Sequence, residues 1–159
     1  MKFMHTVALV AAFSTSLAVA QEQRGEAKAS VAGKAVAVEY GRPSLAGRDM
    51  LGQAKAGTPW RMGSGSPTSL KTEADLMFGA ISVPKGSYVL TAVKGESGSW
   101  SMIATNPDSK AKVAEVPLTS TTLKESVEQF TIEVMGKGSD GEFSLMWGTA
   151  KMAAPFTGK

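Results

Sequence analysis

Short runs in which apolar residues alternate with polar ones recur from Ala35 to Phe156, and glycine or proline closes almost all of them. An alternation of period two puts one set of side chains on one face of an extended strand, and the turn residue after it sends the chain back. Val36, Val38 and Tyr40 share a face before Gly41-Arg42-Pro43 ends the run, because a proline drives its predecessor out of helical space and donates nothing to a sheet. Thr68 to Thr72 and Leu76 to Val83 read as the next strands, and Pro84-Lys85-Gly86 turns the second of these into its hairpin partner, Ser87 to Val93. Trp100 to Ala104 follows, then Val113 to Leu118, which Pro117 marks as an edge strand. Phe130, Ile132 and Val134 face one way within Val127 to Met135. Ser139-Asp140-Gly141 then turns the chain into Phe143, Leu145 and Trp147, and Ala153 to Phe156 adds a short last strand. Arg48 to Ala54 offers at most a helical turn or two. Many short strands without a long amphipathic helix predict an all-β chain, a single antiparallel β-sandwich or barrel-like domain with one long loop rich in glycine, proline and arginine.

Met1 to Ala20 stands apart from this pattern. Lys2, the apolar run from Val7 and the small residues Ala18 and Ala20 read as a secretory signal, with cleavage after Ala20 and a secreted, periplasmic product as the expectation. The apolar run falls short of the roughly 20 residues that a spanning helix needs, so no stable membrane span is expected. Residues 21–28 are polar and without periodicity, so residues 21–30 read as a flexible lead-in, leaving residues 31–159 for the β domain. Once Lys2 is removed from the 17 basic residues, 16 remain against 14 acidic ones. That balance, with the lysines scattered, gives no footing for nucleic acid.

The only histidine is His5, inside the signal, and cysteine is absent. The remaining chain therefore lacks the means for Ser-His-Asp or Cys-His catalysis, for the usual zinc sites, for haem held by histidine and for iron–sulfur clusters. Other motifs are weaker than they look. Gly63 to Thr68 lacks the lysine and following helix of a phosphate loop, and Ser109-x-x-Lys112 lies in a polar turn without partner motifs. Glu73 with Asp75, and Glu125 with Glu128, read as solvated carboxylates, and Asp140-Gly141 lacks the other positions of a calcium loop. The methionines fall mostly on strand phases and read as core filling rather than copper ligands. An enzyme without histidine would need a carboxylate or lysine with a strongly perturbed pKa in a cleft; no cofactor or metal is expected.

The segment from Tyr40 to Thr68 is the candidate surface. It holds Arg42, Arg48 and Arg61, three of the four arginines outside the signal, together with Trp60, six glycines and three prolines. No acidic residue occurs from Met50 to Thr72. Arginine offers a planar fork for carboxylate, phosphate or carbonyl groups that lysine cannot copy. Two outcomes are open for such a segment: the arginines staple the loop to its own carbonyls, or they face a small anionic or carbohydrate ligand. The tryptophans are similarly divided between core and platform.

Tyr40-x-Arg42-Pro43 with Gly47-Arg48, Trp60-Arg61-x-Gly63 with Thr68, Val83-Pro84-x-Gly86-x-Tyr88-x-Leu90, Trp100, Leu145-x-Trp147 and Pro155-Phe156 together resemble the bacterial family catalogued as domain of unknown function 2911. The resemblance spans about Val31 to Phe156 and implies a secreted, β-rich single domain with no established activity. Relatives commonly carry an Asn-Glu pair where this chain has Gly65 and Ser66, so any contact that pair makes is absent here. Arg42, Arg48, Trp60, Arg61, Thr68 and Tyr88 are the candidate ligand-binding residues. The expectation is a non-enzymatic module that binds a small anion or sugar through them. The alternative is a structural module of the envelope that docks a protein partner, with the arginines only stapling the fold.

Overall fold

A computed structural model describes residues 23–159, so the expected signal at residues 1–20 lies outside the described residues. Nine strands are present: β1 (Arg24–Val31), β2 (Lys34–Gly41), β3 (Ser69–Thr72), β4 (Leu76–Phe78), β5 (Ile81–Val83), β6 (Gly86–Lys94), β7 (Trp100–Thr105), β8 (Lys112–Lys137) and β9 (Asp140–Gly158). They form one sheet in the order β1-β2-β3-β6-β7-β8-β9-β4-β5, and every pairing is antiparallel. The described residues contain no helix, so the all-β expectation holds. Arg48 to Ala54 makes only turns, in which Gly52 N–H donates to Asp49 Oδ1 at 3.0 Å and Gln53 N–H to the Asp49 carbonyl at 3.2 Å.

Where apolar residues alternate clearly, burial follows. Val36, Val38 and Tyr40 of β2, Tyr88, Leu90 and Ala92 of β6, and Trp100, Met102 and Ala104 of β7 all face the core. Three expectations are corrected. From Arg24 onward the supposed lead-in is strand β1, paired with β2 along its whole length. Ala27 and Val31 are buried and Ala29 between them packs half-buried against the core, so β1 presents one narrow apolar face made mostly of small side chains. Leu76 to Val83 is not one strand. Gly79, at φ 62°, turns it into the β4–β5 hairpin, and β6 pairs with β3 and β7 instead. Finally, Val113 to Leu118 is only the start of the 26-residue β8; this part pairs with β7 alone, so Pro117 does stand on a locally open edge, and the correction concerns the strand's length.

β8 explains how one sheet encloses a core. Its first part pairs with β7 as far as Leu118, and from Thr119 it pairs with β9, so it carries the chain from one half of the sheet to the other. The halves face each other across Val36, Val38, Leu90, Met102, Phe130, Ile132 and Leu145, each almost wholly buried. Tyr40 of β2 donates its hydroxyl proton across that core to the Ile132 carbonyl at 3.3 Å. The β1–β2 turn meets the β8–β9 turn where Ala32 N–H donates to the Gly138 carbonyl at 2.7 Å.

A hydroxyl-lined cleft beside the stitched loop

The long segment between β2 and β3 is fixed by backbone pairing to both halves of the sheet. Trp60 and Ala92 exchange N–H···O bonds of 2.7 and 2.9 Å, and Gly57 N–H donates to the Lys94 carbonyl at 2.8 Å. On the other side the loop fills an irregularity in β8. There, residues 128–130 stand opposite the single residue Trp147 of β9, a local excess that frees backbone groups for another partner. Leu45 N–H takes the Glu128 carbonyl at 3.0 Å, and Phe130 N–H donates to the Pro43 carbonyl at 2.9 Å. Trp147 completes the junction by donating Nε1–H to the Glu128 carbonyl at 3.1 Å.

The six residues singled out from the sequence do not converge on one place. Arg42, partly buried, donates Nε–H to the Phe130 carbonyl at 3.2 Å and an Nη2 proton to Thr131 Oγ1 at 3.0 Å, tying the end of β2 to β8. Arg61 is exposed and donates to the carbonyl of Gly65 within its own turn. Thr68 is buried and closes the same turn, its hydroxyl donating to the Met62 carbonyl at 2.7 Å. Met62 sits at φ 55° with its side chain wholly buried, an arrangement that the Thr68 bond and the surrounding core hold in place. Trp60 packs into an aromatic cluster, stacked on Trp147 at 6.0 Å between centroids and edge-on to Phe130 at 5.1 Å and Trp100 at 5.9 Å. Tyr88 is buried and donates its hydroxyl proton to the Pro84 carbonyl at 2.6 Å. Burial, and then the carboxylate of Asp75, push its pKa above the ordinary value of 10.0, so it stays a neutral donor near neutral pH.

Arg48 alone of the six reaches a cleft of about 660 Å³ between the loop and the middle of β8 and β9. The floor is formed by Trp100 and Trp147, both buried beneath it. Around the rest stand Ser120, Thr121, Thr122 and Ser126 of β8 and Thr149 of β9, with Arg48, Asp49 and Lys94 adding charge. The wall exists because β8 slips out of register: residues 123–126 stand opposite Thr149 alone, which opens the ribbon at this point. Sequence reading missed all five hydroxyl residues and Lys94. The signal that could have found them is Thr119-Ser120-Thr121-Thr122, four consecutive polar residues inside a strand, with both faces exposed. Chemically the cleft offers donors, acceptors and two cations. Among the described residues no group of three or more His, Cys, Asp or Glu side chains could hold a metal ion, and every buried polar side-chain atom has a hydrogen-bond partner.

The residues that carry the sequence resemblance thus stitch the loop to the sheet, whereas most of the cleft is lined by others. No curated protein and no solved structure matches the chain. A family model does match it, over residues 22–156, and the chain accordingly belongs to the family described as protein of unknown function (DUF2911).

Proposed function

We propose that this protein is a non-enzymatic binding module, secreted to the periplasm after removal of residues 1–20, that takes a small oxygen-rich ligand in the cleft beside Arg48. The observation that carries the reading is the concentration of uncommitted hydrogen-bonding groups around one cavity of about 660 Å³, within the roughly 300–1,000 Å³ typical of small-molecule sites. The ligand surface is therefore displaced from the arginine-rich turn toward β8 and β9. Arg48 supplies the one guanidinium that faces it, and Trp60 supports the floor from beneath.

A thermal-shift screen of phosphates, carboxylates and sugars, run in parallel on Arg48→Ala, tests this. A compound that raises the melting temperature of the wild type and raises that of the variant less supports the site. If nothing in the panel shifts the wild type, the binding reading fails. The second reading, a structural module of the envelope, is favoured by one specific observation: Arg42 and Arg61 both hold backbone carbonyls of the fold. A silent screen would move the search to protein partners.

A further inference from the structure

Resting on that reading, we infer that the ligand class of the cleft is an anionic saccharide, with its acidic group drawn to Arg48 and Lys94 and its hydroxyls to β8 and Thr149. Two sets of groups point there independently. The first is charge. Arg48 comes from the loop and Lys94 from the end of β6, and both line the same cleft. Neither forms an ion pair among the described residues. Arg48 uses Nε–H on the Leu45 carbonyl at 3.4 Å, which leaves its terminal nitrogens for another acceptor. Asp49, the carboxylate of the lining, already accepts the Gly52 N–H at 3.0 Å. Two cations against one engaged carboxylate favour an anion, and the guanidinium fork suits its planar or tetrahedral oxygens.

The second set is the hydroxyls. Ser120, Thr121, Thr122, Ser126 and Thr149 all line the cleft and are exposed, and none of their hydroxyls bonds another described protein group. Each can both donate and accept, which is the complement that a polyol presents in return. A simple inorganic anion would leave this wall unused, and a neutral sugar would leave the two cations unused. An anionic sugar engages both.

The test is calorimetric titration of the purified protein with a galacturonate trimer, a neutral galactose trimer and acetate, at low ionic strength, with amide shifts followed by NMR. The trimer of galacturonate is expected to bind about tenfold or more tighter than the neutral trimer, the scale of one charge-assisted contact, and to weaken as salt is added. Shifts should centre on Ser120 to Thr122 and Thr149. The double variant Arg48→Ala, Lys94→Ala, altered only in side chains without ion pairs, should fold normally and lose the preference for the charged trimer. Thr122→Ala should weaken both trimers alike. Equal binding of the charged and neutral trimers would overturn the anionic class and leave the cleft as a sugar site. Acetate binding as tightly as the charged trimer would overturn the saccharide. No binding by any of the three, or shifts confined to surfaces away from the cleft, would overturn this inference; the first of these also counts against the cleft as a site.

Discussion

Arg42 and Arg61 carry the same charge and lie in the same segment, yet they hold very different things. Arg42 reaches from the end of β2 to two acceptors on β8, in a partly buried position that water cannot easily replace. Arg61 reaches the Gly65 carbonyl from an exposed site, where water can take over. Removing one partner from a buried hydrogen bond costs about 1–3 kcal/mol, because the abandoned acceptor loses its hydration without compensation. Arg42→Ala is therefore expected to lower stability by about 1–3 kcal/mol, with Arg42→Lys recovering only part, since a point charge cannot serve both acceptors with the geometry of the fork. Arg61→Ala is expected to stay within about 0.5 kcal/mol of the wild type, as exposed substitutions usually do. Urea denaturation of the three variants checks this, and an Arg61→Ala loss as large as that of Arg42→Ala would show that the two staples are equivalent. Residue type alone identified both as candidate staples or ligands. Which acceptors stand within reach of each guanidinium depends on segments far along the chain, and those no local pattern reveals.

At the scale of elements, the β1–β2 hairpin shows a local rule broken. Its two turn residues, Ala32 at φ 51° and Gly33 at φ 73°, both lie in the left-handed region that two-residue hairpins require. Glycine adopts it freely, but alanine carries a Cβ that costs roughly 1–2 kcal/mol there. Asparagine tolerates the region better, and Asn-Gly is the preferred pair for this turn. Ala32→Asn is accordingly expected to stabilise the protein by up to about 1 kcal/mol, read as a rise in the urea midpoint at unchanged slope. The same hairpin explains why its first strand was invisible in the sequence. Ala-Gly is not a recognised turn signal, and the alternation of Ala27, Ala29 and Val31 is carried mostly by small side chains, which mark a core face only weakly. β2, β6, β7 and the start of β9 were legible because large apolar residues alternate over at least three positions. β8 was legible at both ends, as Val113 to Leu118 and Val127 to Met135, but not in its polar middle from Thr119 to Ser126. Pro117 marked the first part as an edge, and there β8 pairs with β7 alone, so the strand is open on one side.

For the whole molecule, the decisive contacts lie where the two halves of the sheet meet, and there the limit is set by glycine. A Cβ on Gly136 of β8 would collide with the Ser30 carbonyl of β1, and one on Gly41 would collide with the backbone of Ser64. Gly25 makes room in the same way for the Tyr40 ring and the Arg42 stem, whose nearest atoms would stand 2.8 and 2.7 Å from an added Cβ. These close approaches let β1, the loop and β8 pack without a gap, and they account for the Tyr40-Gly41-Arg42 and Trp60-Arg61-x-Gly63 patterns as closure devices. The cleft lies outside this seam, on the ribbon of β8 and β9 where the register slips, so closure of the sheet and the shape of the cleft are separable. Gly136→Ala separates them. Forcing a methyl group against backbone costs about 1–3 kcal/mol, since neither strand can move without disturbing its own pairings. The variant is expected to lose that much stability and to exchange the amide proton of Ala32 faster, because its bond to the Gly138 carbonyl crosses the seam. Amides of Ser120 to Thr122 should keep their wild-type exchange, being paired with β9 well away from it. A variant with normal Ala32 protection would mean that the seam yields at no cost, and a variant that loosens both regions together would mean that the cleft is held open by the closure itself.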